Sequence, residues 1–216
     1  TASFQRNRDL EWLLAEMNGL LGPVDEQILE NYHQPRWPVI LIMGCARCGS
    51  TLMMQWLAST GRFGYPTNLL SRFYNAPYIG AMIQQLLTGS EYQFRDEFHD
   101  IGATLDFSSE LGKTSGVLEP NEFWYFWRRF FSFGIIQQLD ENALKTIDGE
   151  RFAAELAAIE DMLGKPLALK GMIVNWNIPY VSSLLDKALF IHLVRESVYN
   201  AQSLLESRVK FFGNQE

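Results

Sequence analysis

The sequence predicts an α/β fold of three layers, in which a central, mainly parallel sheet is flanked by helices. Two apolar runs, at 38–43 and 188–194, have the length and composition of strands that are buried on both faces. Helical patterns lie between the predicted strands, and this alternation favours a parallel sheet. The first run ends at a glycine-bounded loop that leads directly into a helix, which is the order of elements in a phosphate-binding site.

The elements follow one another along the chain. Leucine and methionine residues repeat at helical spacing over 10–21, and Gly22-Pro23 predicts the end of that helix. Asp25 then has the position of an N-cap for a short helix at 26–32. Residues 89–118 show no clear period, and so long an irregular stretch is usually a lid, a binding loop or a mobile segment. Further helices are expected at 50–60, 78–87, 123–131, 150–163, 178–185 and 198–208, and a third strand at 167–172.

Length and charge limit the classes of protein to consider. At 216 residues we expect a single domain over 1–216, with a helical N-terminal segment at 1–36. The net charge of −7 argues against a nucleic-acid partner, because proteins that bind nucleic acids present a basic surface. No apolar run approaches the roughly 20 residues of a membrane span. The polar first residues carry no secretory signal, so the cytoplasm is the default location.

The loop at 44–51 differs from a nucleoside-triphosphate site in one important position. Gly44 and Gly49 have the spacing of the Walker A loop, G-x-x-x-x-G-K-[ST]. Ser50 stands where the lysine belongs, Thr51 keeps the hydroxyl, and Arg47 is the only cation of the loop. Kinases and NTPases use that lysine on the β- and γ-phosphates. The loop therefore predicts an anion cradle for a different phosphate-bearing molecule.

The two cysteines, Cys45 and Cys48, lie inside this loop. A zinc site needs two further ligands, and none is suitably spaced, so we predict no metal. The simpler interpretation is that the two cysteines are small loop residues, and not that they form a redox pair.

In the loop at 44–51 the chain resembles the sulfotransferases that use 3′-phosphoadenosine 5′-phosphosulfate (PAPS). Their first signature runs roughly G-x-P-[RK]-[ST]-G-[ST]-[ST]-L after a strand. Here it is matched from Gly44 to Leu52, with Ala46 in place of the proline and Cys48 in place of a hydroxyl residue. Leu169-Lys170, followed by a helix and then by the strand at 188–194, also looks like the layout of the family.

The second signature is R-D-P-x-D with a serine eight residues after the arginine, again after an apolar strand. Arg195 and Ser203 match it, while Glu196-Ser197 replaces Asp-Pro. The resemblance covers roughly residues 37–210. The family usually has more chain beyond the second signature, so the resemblance leaves room for a C-terminal part of the fold, and of the site, outside this sequence.

The resemblance implies a P-loop, nucleotide-kinase-like fold, PAPS as sulfuryl donor and adenosine 3′,5′-bisphosphate (PAP) as product. Arg47 is then expected to bind the 5′-phosphate and the transferring sulfuryl group. Arg195 and Ser203 are expected to hold the 3′-phosphate, and Lys170 can reach the site from its own strand. The remaining expected cofactor contacts are Cys48, Gly49, Ser50, Thr51 and Leu52.

A general base must take the proton of the acceptor as it attacks. Relatives of the family use histidine or glutamate, which directs attention to His99 and to Glu119 and Glu122, with Glu119 preferred. His192 lies within a predicted buried strand, where a core histidine is the simpler interpretation. The aromatic run at 123–131 indicates core packing first and an apolar acceptor second. The expected acceptor group is a hydroxyl or amine on a small or carrier-bound molecule.

Two alternatives stay open. A degenerate P-loop kinase or NTPase would need to act without the Walker lysine. A non-catalytic, PAP-binding interaction module would keep the fold and lose the chemistry, and the altered positions Ala46, Cys48 and Glu196-Ser197 give that alternative some room.

Overall fold

The computed structural model describes residues 7–95, 97–98, 101, 105–134 and 137–212. Its strands are β1 (Val39–Gly44), β2 (Ala168–Lys170) and β3 (Ala188–Leu193). Its helices are α1 (Arg8–Leu29), α2 (Ser50–Ser59), α3 (Pro77–Thr88), α4 (Trp124–Phe130), α5 (Glu141–Lys145), α6 (Gly149–Leu163), α7 (Ile178–Leu184) and α8 (Ser197–Phe212). Among these helices, none combines the length and the apolar character needed to cross a membrane.

The three strands form one parallel sheet in the order β2-β1-β3, which confirms a mixed α/β fold built on a small sheet. In the register, Ile42 lies opposite Lys170 on one side, and Gly44 lies opposite Leu193 on the other. The carboxyl ends of the three strands therefore meet at one edge. That edge is where ligands bind in parallel α/β sheets.

Both faces of β1 are covered, as its uninterrupted apolar sequence predicts. Leu41 and Met43 pack into a large core with the aromatic side chains of α4 and with α6. Ile40 and Ile42 point the other way and pack against Met54 and Leu57 of α2. This alternation follows from the two-residue repeat of a strand.

The expectation that β3 is buried on both faces is wrong. Each of its residues is half-buried or exposed, and Leu189 is 50% exposed. His192, expected in the core, is exposed. The reason is position: β3 pairs with β1 along one edge, and no described strand pairs with its other edge. An edge and a centre strand can share the same apolar composition.

The expected stop at Gly22-Pro23 is also wrong, because α1 continues through both residues to Leu29. Gly22 is where another segment touches the helix: a Cβ there would lie 2.3 Å from Asn75 Nδ2. The buried Asn18 side chain accepts a hydrogen bond from the Asn75 amide at 2.8 Å and donates one to the Arg72 carbonyl at 2.8 Å. Tertiary contacts therefore hold a helix that local propensity would end.

Asp25 caps a different helix from the expected one. It lies inside α1, and its Oδ1 accepts a hydrogen bond from the Ile79 amide of α3 at 2.8 Å, while Oδ2 accepts one from Tyr78 at 3.4 Å. The carboxylate thus satisfies free amides in the first turn of α3 and ties that helix to α1. Burial raises the pKa of Asp25 from 3.8 to about 6, although the two backbone hydrogen bonds act in the opposite direction.

This raised pKa predicts a pH-dependent stability. The folded chain holds the Asp25 proton more tightly than the unfolded chain, so the stabilisation is complete below about pH 3.8 and is lost as the pH rises to about 6. The loss amounts to about 3 kcal/mol of unfolding free energy at 1.36 kcal/mol per unit of pKa. Asp25→Asn keeps the bond to Ile79 and should remove this dependence. Urea unfolding of both proteins from pH 4 to 7 measures it, and parallel profiles would contradict the assignment.

Candidate functional site

The loop after β1 has an unusual backbone. Gly44, Arg47 and Gly49 all have positive φ angles, of 143°, 69° and 100°. A tight turn is closed inside the loop by the Cys48 amide, which donates to the Cys45 carbonyl at 3.2 Å. Left-handed backbone at a non-glycine residue is costly and concentrates at functional sites. The strain at Arg47 is therefore consistent with a functional role for its side chain.

The loop delivers the free amides of α2 to a cavity. No side chain caps this helix, and its first internal hydrogen bond runs from the Met53 amide to the Gly49 carbonyl at 3.1 Å. In the described part of the chain, the amides of Ser50, Thr51 and Leu52 have no acceptor within hydrogen-bond range. Such amides, at the positive end of a helix, attract anions. All three residues line the adjoining cavity.

Two cavities adjoin at the carboxyl edge of the sheet. The first, here called the loop cavity, has a volume of about 240 Å³ and includes Arg47, Gly112 and Arg195 in its lining. The second, here called the aromatic cavity, has a volume of about 290 Å³ and includes Trp124 and Trp127. The two cavities share Ala46, Glu122 and Met172.

The structure brings Arg47, Arg195 and Ser203 together. Arg47 Nε donates to Ser203 Oγ at 3.0 Å, and an Arg195 guanidinium nitrogen donates to the Arg47 carbonyl oxygen at 3.0 Å. Two cations separated by almost 150 positions thus meet at the loop after β1, because β1 and β3 are neighbours. An arginine pair in this arrangement suits a molecule that carries more than one anionic group.

Lys170, at the end of β2, reaches the first turn of α2. Its ammonium donates to Thr51 Oγ1 at 2.8 Å and lies 3.4 Å from Glu122 Oε1. Burial lowers the pKa of Lys170, and the nearby Glu122 carboxylate partly offsets that effect. Glu122 also faces the exposed Lys113 at 3.6 Å. The carboxylate thus lies between two cations at the wall that both cavities share.

The two candidate glutamates have different surroundings, and the geometry favours Glu122 over the preferred Glu119. Glu119 is 4% exposed and lines neither cavity. Its carboxylate accepts hydrogen bonds from the Gln55 side chain at 3.0 Å and from the Asp106 amide at 2.7 Å. These bonds hold the segment at 105–118 against α2. Glu119 is thus placed as a structural carboxylate, whereas Glu122 faces both cavities.

Phe123 sets the direction of the backbone between Glu122 and Trp124. It has φ 55° and ψ 36°, a left-handed conformation that is rare for a bulky residue. Its amide donates to Asn121 Oδ1 at 2.8 Å, and its ring stacks on Phe126 with centroids 4.4 Å apart. The backbone therefore reverses between Glu122 and Trp124, so that both line the aromatic cavity.

Not every residue that the sequence predicts for the site is found in this cluster. His99 lies outside the described residues. Cys48 is buried within the loop, and both Cys45 and Cys48 are free thiols. Part of the expected lid does reach the site, because Ser109, Leu111 and Gly112 line the loop cavity. The Gly112 carbonyl accepts a hydrogen bond from Thr51 Oγ1 at 3.4 Å.

Two asparagines that brace the loop were not identified from the sequence as site residues. Asn175 pairs with both backbone groups of Gly44, donating to its carbonyl at 2.6 Å and accepting from its amide at 3.2 Å. Asn200 of α8 donates to the Ala46 carbonyl at 2.9 Å. The only sequence signal was that Asn175 stands near the position of a histidine in some sulfotransferases. Nothing in the spacing of Asn200 indicates its role.

No family model, curated protein or solved structure matches this chain at a meaningful level of similarity. The interpretation of the site therefore depends on its own geometry and on the two short signatures.

Gly44 offers a test of the loop geometry. A Cβ at this position would lie 2.7 Å from the Leu193 carbonyl oxygen and 2.8 Å from Cys48 Sγ, at a φ of 143°. Gly44→Ala should lower the free energy of unfolding by at least about 2 kcal/mol. Gly19→Ala is the matched control: it lies in α1 with no atom within 4 Å of its Cβ, and should stabilise by about 0.5–1 kcal/mol. Equal effects in chemical denaturation would contradict this account of the loop.

Proposed function

We propose that this chain is a sulfotransferase with a P-loop, nucleotide-kinase-like fold, which moves a sulfuryl group from PAPS to a hydroxyl or amine of an acceptor. The observation that carries the proposal is the joining of the two signatures: Arg47 of the loop is hydrogen-bonded to Ser203 and lies beside Arg195. PAPS has two separate anionic groups, a 3′-phosphate and a 5′-phosphosulfate. An arginine for each group matches that distribution of charge.

The residues present suit such a donor. The amides of Ser50 and Thr51, with Arg47, would hold the 5′-phosphosulfate, and Arg195 with Ser203 would hold the 3′-phosphate. Gly49 has nothing within 4 Å of the position of a Cβ, which leaves the helix start open to a ligand. When bound, the donor supplies an activated sulfuryl group whose bond to the phosphate oxygen can break.

Sulfuryl transfer needs a proton acceptor and positive groups that stabilise the departing phosphate, and the site has candidate residues for each. Glu122 would accept the proton of the acceptor group as its oxygen or nitrogen forms a bond to sulfur. Arg47 and the helix amides would stabilise the negative charge that grows on the departing phosphate oxygen. Lys170, at 2.8 Å from Thr51 Oγ1, adds a buried positive charge to the same region. Glu122 lines both cavities, so the proposed base adjoins the proposed phosphate cradle.

Thermal denaturation distinguishes this proposal from a kinase or NTPase. PAP at about 100 times its dissociation constant should stabilise the chain by about 2.7 kcal/mol, which is a rise in Tm of roughly 5–10 °C at this size. Magnesium ions should not be needed, and Mg·ATP should give a smaller shift. Arg47→Ala and Arg195→Ala should each remove most of the PAP shift.

Arg62→Ala is the control, since Arg62 is exposed and lines neither cavity. A shift with Mg·ATP in the absence of any shift with PAP would overturn the proposal in favour of a P-loop kinase or NTPase.

The assignment of the base has its own test. Glu122→Gln should lower sulfuryl transfer from PAPS to a panel of phenols and aliphatic alcohols by at least about 100-fold, with PAP binding retained. Glu119→Gln should instead lower Tm, because the amide presents a donor where Glu119 now accepts hydrogen bonds from Gln55 and Asp106. Transfer is followed by the release of PAP. An active Glu122→Gln protein beside an inactive, stably folded Glu119→Gln protein would reverse the two roles.

A further inference from the structure

The wall of the aromatic cavity contains an unsatisfied donor. Trp127 lines the cavity and is 1% exposed. Within the described ranges, its indole nitrogen, Nε1, is the one buried side-chain nitrogen or oxygen that has no hydrogen-bond partner. A buried donor without an acceptor is unfavourable and rare in folded proteins, so it calls for a physical explanation.

The indole cannot easily turn to find a partner elsewhere. Three rings surround it, with centroids 6.0 Å away for Phe126, 5.9 Å for Phe131 and 5.7 Å for Phe152. All three phenylalanines are buried in the large core. Rotation of Trp127 would disrupt this packing, so its N–H direction is fixed by the core rather than by any polar contact.

The rest of the lining limits what can enter. Among the described residues that line this cavity, two are charged, Lys170 and Glu122. Lys170 Nζ lies 3.4 Å from Glu122 Oε1, so the two charges largely compensate each other. The other contributors include Ile173, Met172 and the half-exposed Trp124. A volume of about 290 Å³ admits a small molecule. A compact, uncharged and mostly apolar molecule fits this wall best.

We propose that Trp127 determines the acceptor specificity of this chain by donating its indole N–H to a neutral oxygen of the acceptor. The inference depends on the proposed function. The acceptor is then a small, uncharged, largely apolar alcohol or phenol with a second oxygen, remote from the hydroxyl that faces Glu122. Because neighbouring side chains cover the indole nitrogen, this contact requires them to move slightly when the acceptor binds.

Two phenols of the same shape provide the test. 4-Hydroxyacetophenone carries a carbonyl oxygen where 4-isopropylphenol carries a methyl group. Calorimetric titration with saturating PAP should show that the native chain binds the ketone about tenfold more tightly. Trp127→Phe should reduce that ratio to about one. Trp124→Phe is the matched control from the same cavity, and should weaken both probes while leaving the ratio unchanged.

A second measurement needs no substitution in the core. The chain has six tryptophans, so its ¹⁵N-resolved indole spectrum contains at most six N–H signals. The ketone should move one of them strongly downfield, as a new hydrogen bond does, and 4-isopropylphenol should not. In the Trp127→Phe protein that signal should be missing. This spectrum decides the question even where Trp127→Phe folds poorly, since assignment can also proceed by replacing the other five tryptophans.

The outcomes distinguish a failure of the proposed function from a failure of the proposed role of Trp127. A chain that does not bind PAP overturns the proposed function. A chain that binds PAP but shows the same ketone preference with and without Trp127, or binds neither phenol, or shows no indole shift, overturns the role of Trp127 and leaves the proposed function standing.

Discussion

The parallel pairing of β1 with both of its neighbours is the constraint on which the site depends. The register sets Lys170 beside the middle of β1 and brings the end of β3 to Gly44. As a result, the loop after β1, the ammonium at the end of β2 and the arginine after β3 converge without any of them being near in sequence. Loops can vary in length and composition around such an edge, because the hydrogen bonds of the sheet fix only where each begins.

The site concentrates positive charge in a chain whose net charge is −7. Arg47, Arg195, Lys113 and Lys170 all lie near the two cavities, and Glu122 is the carboxylate among them. Elsewhere, the fully buried Glu155 is already compensated, because both Arg129 and Arg151 hold it. The first arrangement leaves room for a ligand anion, whereas the second is already neutralised. This difference separates the candidate binding site from a structural ion-pair network.

The sequence was sufficient for features that depend on local pattern. The strand, the loop and the helix around Gly44 and Arg47 follow from apolar runs, glycines and a hydroxyl residue, and they lie where the pattern predicts. The sequence was not sufficient for features that depend on contacts between distant segments. The position of β3 at an edge depends on which strands pair. The continuation of α1 past Gly22 depends on Asn75, which is some fifty residues away.

The choice between Glu119 and Glu122 illustrates the same limit. Both are acidic residues just ahead of an aromatic helix, and helix-capping rules treat them alike. Their distant partners separate them, because Gln55 and Asp106 hold Glu119 while Lys170 lies beside Glu122. No local rule predicts the left-handed backbone of Phe123 either. Its cause is tertiary: the ring is 1% exposed and stacks in the aromatic core. Residues such as Asn175 and Asn200 escape notice for a related reason, because their partners are backbone groups.

The left-handed backbone at Phe123 also has a consequence for how the chain can evolve. That conformation costs on the order of 1–3 kcal/mol and persists only because the packed ring holds it. A substitution deep in the aromatic core that loosens this ring would let the backbone relax and swing Glu122 away from the shared wall. Sequence drift there would erode the proposed chemistry before it unfolded the chain. A descendant could thus keep the sheet, the loop and both arginines and still have become only a binding protein.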